Sequence, residues 1–232
     1  MKKTTIILIA FIIVSSACKS SIKSHPSSST YNYEDSLVDE KLLAWHFAAS
    51  SPKGEIYADS AIALADSMIH KYPADSQKQL KYILQRMNFL ILKKKYEEAI
   101  SVMYKSDNKK WDIGGVYFKD ILKYRILAMQ AKELNDERKY KEALNNALSL
   151  TKKYISENQK EYDACIATEL RTQKGKYIVV TYQYVFYNYL LYGKEATDNI
   201  IEDMKVKYDL NESAIESLKN KYYAEIDVFY II

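Results

Sequence analysis

At 232 residues the chain can bury a sizeable core, and its 34 basic side chains nearly balance its 30 acidic ones, for a formal net charge of +4. Such a balance supplies no concentrated basic patch, which excludes nucleic acid as an expected partner. Two cysteines, Cys18 and Cys165, cannot make a disulfide framework, so stability must come from packing.

In chain order, Met1-Lys2-Lys3 is a short basic start, Ile6 to Val14 is an apolar run, and Ser15-Ser16-Ala17 leads into Cys18. A charged start, a short apolar run and a small-residue exit make the three-part pattern of an export signal. The apolar run is about half of the roughly 20 residues that cross a bilayer. Small residues directly before a cysteine resemble the lipobox of bacterial lipoproteins, although Ser15 occupies the place usually held by leucine. The resemblance implies removal of residues 1–17 and acylation of Cys18, and two or more acyl chains anchor stably where one does not. Once Lys2 and Lys3 are removed, the remaining basic side chains exceed the 30 acidic ones by two. In some lineages acidic residues after the lipidated cysteine direct surface export. Here Lys19-Ser20-Ser21-Ile22-Lys23 follows, which points to a periplasm-facing domain in a bacterial cell envelope.

Residues 18–35 form the lipidated cysteine and a linker with six serines and Pro26. As a random coil it reaches on the order of 20–25 Å. From residue 36 to 232 the sequence reads as one all-α domain. Leu80, Ile83, Leu84, Met87, Leu90 and Ile91 follow helical i, i+3, i+4, i+7 spacing, with Ser76 and Gln79 as a capping-box pair ahead of them. Breaks at Pro52-Lys53-Gly54, Tyr72-Pro73, Asp107 to Gly115, Gly175 and Gly193 divide the domain into ten helices. These lie near 36–50, 56–72, 76–94, 96–106, 116–135, 137–155, 158–174, 176–192, 194–207 and 211–229. The run Tyr182-Gln183-Tyr184-Val185-Phe186-Tyr187 is rich in strand formers, but no second strand exists to pair with it, so 176–192 is read as helix.

Three stretches echo one another: Lys95-Tyr96-Glu97-Glu98-Ala99-Ile100, Lys139-Tyr140-Lys141-Glu142-Ala143-Leu144 and Lys176-Tyr177-Ile178-Val179-Val180-Thr181. Together with Trp45, Ala61, Ala65, Pro73 and Gly175 they resemble the tetratricopeptide repeat family over roughly 36–192. The alanine spacings, 38 and 44 residues, exceed that family's period of about 34. The resemblance implies stacked antiparallel helical hairpins, about five pairs in an α-solenoid, with a concave groove. On that mapping Lys81, Asn88, Arg125 and Lys132 face the groove and would hold an envelope protein or peptide. Leu84 stands where the carboxylate-clamp members of the family carry lysine, so that specificity is not implied.

Chemistry-bearing motifs are sparse. His70 lies four residues after Asp66 on one helix face, but a metal site needs three or four converging ligands, and no third is evident. No nucleophile elbow, zinc-protease motif or phosphate-binding glycine loop occurs. Cys165, between Ala164 and Ile166, reads as a buried thiol. The expectation is therefore a protein-interaction scaffold with no catalytic residues, metal or cofactor. The alternatives are a ligand- or glycan-binding lipoprotein of a nutrient-uptake system, which would need exposed aromatics at Trp111 or Tyr182–Tyr192, and, behind it, an enzyme, which would need a deep pocket with converging carboxylates. The lipid assignment predicts that Cys18→Ala releases the protein from the membrane fraction and abolishes palmitate labelling. Equal membrane retention of the variant would refute it.

Overall fold

A left-handed turn recurs at four of the junctions between helices, after Leu92, Glu133, Thr172 and Tyr208. The computed structural model describes residues 33–49, 54–72, 76–106 and 117–222. Cys18, the signal and most of the linker lie outside the described residues, as does 223–232. Every regular element among the described residues is helical: α1 (Tyr33–Ala49), α2 (Glu55–Lys71), α3 (Ser76–Leu92), α4 (Tyr96–Lys105), α5 (Phe118–Glu133), α6 (Glu137–Glu157), α7 (Gln159–Thr172), α8 (Tyr177–Tyr208) and α9 (Glu212–Tyr222). They fall into two compact units, α1–α4 and α5–α9. None is long and apolar enough to cross a membrane.

In the N-terminal unit α2 packs on α1 and α3, and α4 packs on α3. Ala58, Ala61 and Ala65 put a stripe of small side chains on one face of α2, Met68 continues it, and all four are buried. Leu42, Tyr82 and Phe89 fill the core beside them, with Val38, Trp45 and Tyr72 at its margin. All six apolar positions expected on α3 are buried. The helix α1 begins three residues earlier than the sequence suggests because Asp35 is engaged. Its carboxylate accepts from the Tyr72 hydroxyl at 2.5 Å and from Lys78 at 3.0 Å. Burial pushes the Asp35 carboxyl up, but Tyr72, Lys78 and Lys71 together hold it below the usual range. Gln79 donates its side-chain amide to the Ile69 carbonyl at 3.0 Å, joining α3 to the end of α2.

In the C-terminal unit α5 pairs with α6, and α8 packs against α6, α7 and α9. Between residues 177 and 188 nearly every side chain of α8 is buried, which makes this stretch the centre of the unit. A helix buried on all sides needs no polar stripe, and its packing overrides the strand preference of Val179, Val180 and Val185. At Gly193 the backbone departs from helix, with φ 81° and ψ −175°. No atom lies within 4 Å of where a Cβ would sit there, so the conformation rather than space demands glycine. The two expected helices 176–192 and 194–207 are the two arms either side of that break.

Four hairpin turns share one geometry. Lys94, Asn135, Gln173 and Asp209 adopt positive φ of 60°, 54°, 57° and 49°. The next residue's N–H reaches back five positions: Lys95 to the Leu90 carbonyl (2.8 Å), Asp136 to Ala131 (2.9 Å), Lys174 to Glu169 (3.2 Å) and Leu210 to Lys205 (3.1 Å). These are helix C-caps that satisfy otherwise orphaned carbonyls. The Lys-Tyr motifs do not keep one distance from these turns. Tyr96 lies two residues after Lys94, Tyr140 five after Asn135 and Tyr177 four after Gln173.

Ala99 is fully buried on α4, and Ala143, on the face of α6 that also buries Leu144 and Ala147, is 6 % exposed. Ala143→Leu forces extra methylenes into this packing and should cost ~1–3 kcal/mol in denaturant melts. An unchanged midpoint would mean that the contact is not close.

Candidate functional site

Two helical stripes with the same spacing face a single cleft in the C-terminal unit. Lys152, Ile155 and Ser156 end α6, and Gln159 opens α7 one turn later. Past the Gly193 break, α8 contributes Ile200, Asp203, Met204 and Lys207, again at i, i+3, i+4, i+7. Tyr162, Tyr184 and Tyr208 complete the walls of an open cleft of about 310 Å³. Its position follows from two local features. Only Asn158 separates α6 from α7, and it caps the α6 end by donating its side-chain amide to the Tyr154 carbonyl at 2.8 Å. The break at Gly193 lets the second arm of α8 take its own course.

One side of the cleft is closed by a polar trio. The Tyr208 hydroxyl donates to Asp163 at 2.6 Å, and Lys207 donates to the same carboxylate oxygen at 3.0 Å and to the Tyr208 hydroxyl at 2.8 Å. Gln159 adds a further bond to Asp163 at 2.7 Å. The Tyr208 hydroxyl and these neighbours hold the Asp163 carboxyl below its ordinary range, while Tyr208 and Asp163 raise the Lys207 ammonium. Burial raises the Tyr208 phenol, and Asp163 raises it further. Tyr162 is pushed up by burial, and its hydroxyl shares a 2.9 Å bond with Thr181. Burial and then the Asp203 charge raise Tyr184. The phenols therefore stay neutral well above neutral pH and are unsuited to act as bases. A set of neutral phenols with paired and unpaired charges suits recognition by hydrogen bond and ion pair.

Behind the cleft the tyrosine rings continue. Tyr117, Tyr154, Tyr177, Tyr162 and Tyr208 form an unbroken chain, with successive centroids 6.3, 6.2, 5.6 and 6.1 Å apart. Lysines lie over half-buried rings: Lys207 sits 4.7 Å from the Tyr208 centroid and Lys152 6.0 Å from that of Tyr184.

The residues expected to line a groove are distributed differently. Lys81 and Asn88 belong to the N-terminal unit, and Arg125 and Lys132 to the C-terminal unit. Lys81 is exposed on α3 and ion-paired with Asp39 of α1. Asn88 is buried at 8 % exposure. Arg125 is half-buried, its guanidinium 4.7 Å from the Phe186 centroid. Beside it, burial pushes the Tyr187 phenol up to about 12 against the opposing pull of the Arg125 charge. Lys132 is exposed in the last turn of α5. The structure does not draw the four into one cluster within either unit.

His70 donates to the main-chain carbonyl of Asp66 at 2.7 Å, while the Asp66 carboxylate pairs with Arg86 at 2.7 Å. Among the described residues no three His, Cys, Asp or Glu side chains converge as a metal site. Cys165 is a partly buried free thiol. Of the aromatics between 182 and 192, Phe186 and Tyr187 are core residues, Tyr182 hydrogen-bonds Gln173 at 2.5 Å, and Tyr192 is 56 % exposed. Trp111 lies outside the described residues. Sequence reasoning missed the cleft. Its one linear signal was the stripe Ile200, Asp203, Met204, Lys207, where charged and apolar residues share a helix face. No protein-family model matches this chain, and neither a curated protein nor a solved structure matches it significantly.

The signs of the shifts define a pH window for the trio. Asp163 is depressed, so its contribution is complete above its ordinary 3.8 and is lost as pH falls below that. Tyr208 and Lys207 are raised, so theirs are complete below 10.0 and 10.5 respectively and are lost as pH rises further. Asp163→Asn should remove the acid-side loss and lower the Tyr208 pKa towards 10.0, read by tyrosine-resolved NMR titration. A Tyr208 titration identical to wild type would contradict the trio.

Proposed function

We propose that this protein is a non-catalytic binding protein of the bacterial cell envelope, tethered through lipid on Cys18 with its helical domain towards the periplasm, and that it holds extended peptide segments of partner proteins. The cleft in the C-terminal unit is the observation that carries the reading. It is open rather than enclosed, has an apolar floor of Ile155, Ile200 and Met204, and is edged by hydrogen-bonding and charged groups. Enclosed pockets suit small ligands, because they cover most of the ligand's surface. An open cleft suits a chain that enters and leaves.

The finer architecture we infer is a tetratricopeptide-like stack of hairpins. Four equivalent turns and buried alanines at positions 61, 65, 99, 143 and 147 support it, since small side chains allow close helix approach. A glycan-binding role is the weaker reading. Stacking sugars need open aromatic faces, and Lys207 and Lys152 already lie over Tyr208 and Tyr184.

The test is peptide-array binding by the full chain, followed by Ile200→Glu. A carboxylate set into the apolar floor should reduce affinity at least ten-fold while helicity by circular dichroism stays constant. Peptides that bind the variant as well as wild type would remove the cleft from consideration.

A further inference from the structure

The charges around the cleft fall into two classes. Lys207 and Asp163 neutralise each other at 3.0 Å, with the Tyr208 hydroxyl on the same carboxylate oxygen. Lys152 and Asp203 are different. Both are exposed and line the cleft, and among the described residues neither has an ion-pair or hydrogen-bond partner. One is supplied by α6 and the other by α8, and both act on the same ring. The Lys152 ammonium lies 6.0 Å from the Tyr184 centroid, and the Asp203 charge is felt by the Tyr184 phenol. Ile155, Ile200 and Met204 lie in the same cleft as this unmatched cation and anion.

A purely acidic segment would satisfy Lys152 and be repelled by Asp203, and a purely basic one would suffer the reverse. A small zwitterion would match both charges, but an open cleft cannot enclose it. Building on the peptide-binding reading above, we propose that the cleft selects a peptide segment in which an apolar or aromatic side chain is flanked by one acidic and one basic residue, the acid meeting Lys152 and the base meeting Asp203. The side chain between them rests on Ile155, Ile200 and Met204. Exposed ion pairs add little affinity, so the pair acts mainly by discriminating between segments.

The experiment uses the full chain and five-residue fluorescent probes blocked at both ends. Their central triplets are Glu-Phe-Lys, Lys-Phe-Glu, Glu-Phe-Glu, Lys-Phe-Lys and Ser-Phe-Ser, and binding is read by anisotropy at low and high salt. One of the two mixed-charge probes should bind about three- to ten-fold tighter than Ser-Phe-Ser at low salt, and the advantage should shrink at high salt. Lys152→Glu should move the preference to Lys-Phe-Lys, and Asp203→Lys should move it to Glu-Phe-Glu. Both residues are exposed, so the fold should survive, checked by circular dichroism. If all charged probes bind like Ser-Phe-Ser, or if neither variant changes the ranking, the charge assignment is overturned. Should Ser-Phe-Ser still bind wild type and fail on Ile200→Glu, the peptide reading survives that loss. Absence of binding by every probe overturns both.

Discussion

The left-handed residue that closes four of the helix junctions is the constraint on which much of the helical packing depends. At Lys94, Asn135, Gln173 and Asp209 the chain takes a conformation that costs a non-glycine residue about 1–2 kcal/mol. The return is a main-chain bond that reaches back five residues and ends the helix at a defined carbonyl. Once the end is set, the next helix starts antiparallel, and the alanine stripes decide how near it can lie. Ala61 and Ala65 on α2, Ala99 on α4, and Ala147 on α6 are all fully buried, as a close crossing requires. None of the four left-handed cap positions is itself a glycine, so packing on either side holds that geometry, although the α7–α8 turn also uses Gly175 two residues later.

The first arm of α8 plays a comparable part within the C-terminal unit. Its first turn is held by Glu169 of α7, whose carboxylate accepts from the N–H groups of Lys176, Tyr177 and Ile178 at 3.2, 2.6 and 2.9 Å. A carboxylate at a helix N-terminus satisfies orphan donors and opposes the helix dipole. Gly175 makes room for it: a Cβ there would lie 2.1 Å from the Glu169 carboxyl carbon. Burial pushes the Glu169 carboxyl up, and the three N–H groups offset only part of that rise. From this anchored start the arm runs through the core to Gly193, beyond which the second arm supplies a wall of the cleft. The position of the cleft is thus a downstream result of one capped helix and two glycines, Gly175 and Gly193.

Much of this was legible in the sequence. Helical periodicity located the elements to within a few residues, and the absence of a partner strand correctly kept 176–192 helical despite its tyrosines and valines. The buried stripe on α3 and the small residues at 99 and 143 were also readable, because each depends on spacing along one helix. What depends on several helices was not. The cleft joins residues from 152 to 208, and no local pattern separates Asp203, which lines it, from Glu202, which pairs with Lys219. The same limit affected the groove residues. Arg125 and Asn88 fit a repeat register, yet Arg125 stacks on Phe186 from a different helix and Asn88 is buried. The Lys-Tyr motifs carry no fixed register from these turns, since their distance from the turn varies by up to three residues, close to one helical turn.

The chain of five tyrosines gives the C-terminal unit an optical character of its own. Residues 117–222 contain no tryptophan, whereas the N-terminal unit carries Trp45 at the margin of its core. Phenol rings 5.6 to 6.3 Å apart at fixed mutual angles couple their transitions and lose that coupling when the packing loosens. Near-ultraviolet dichroism from these rings therefore responds to the packing of α5–α9, beside a contribution from the stacked Tyr72 and Tyr82 of the N-terminal unit, while the chain's tryptophan emission comes from Trp45 and Trp111. Loss of packing in α5–α9 is thus followed through tyrosine bands rather than through tryptophan emission.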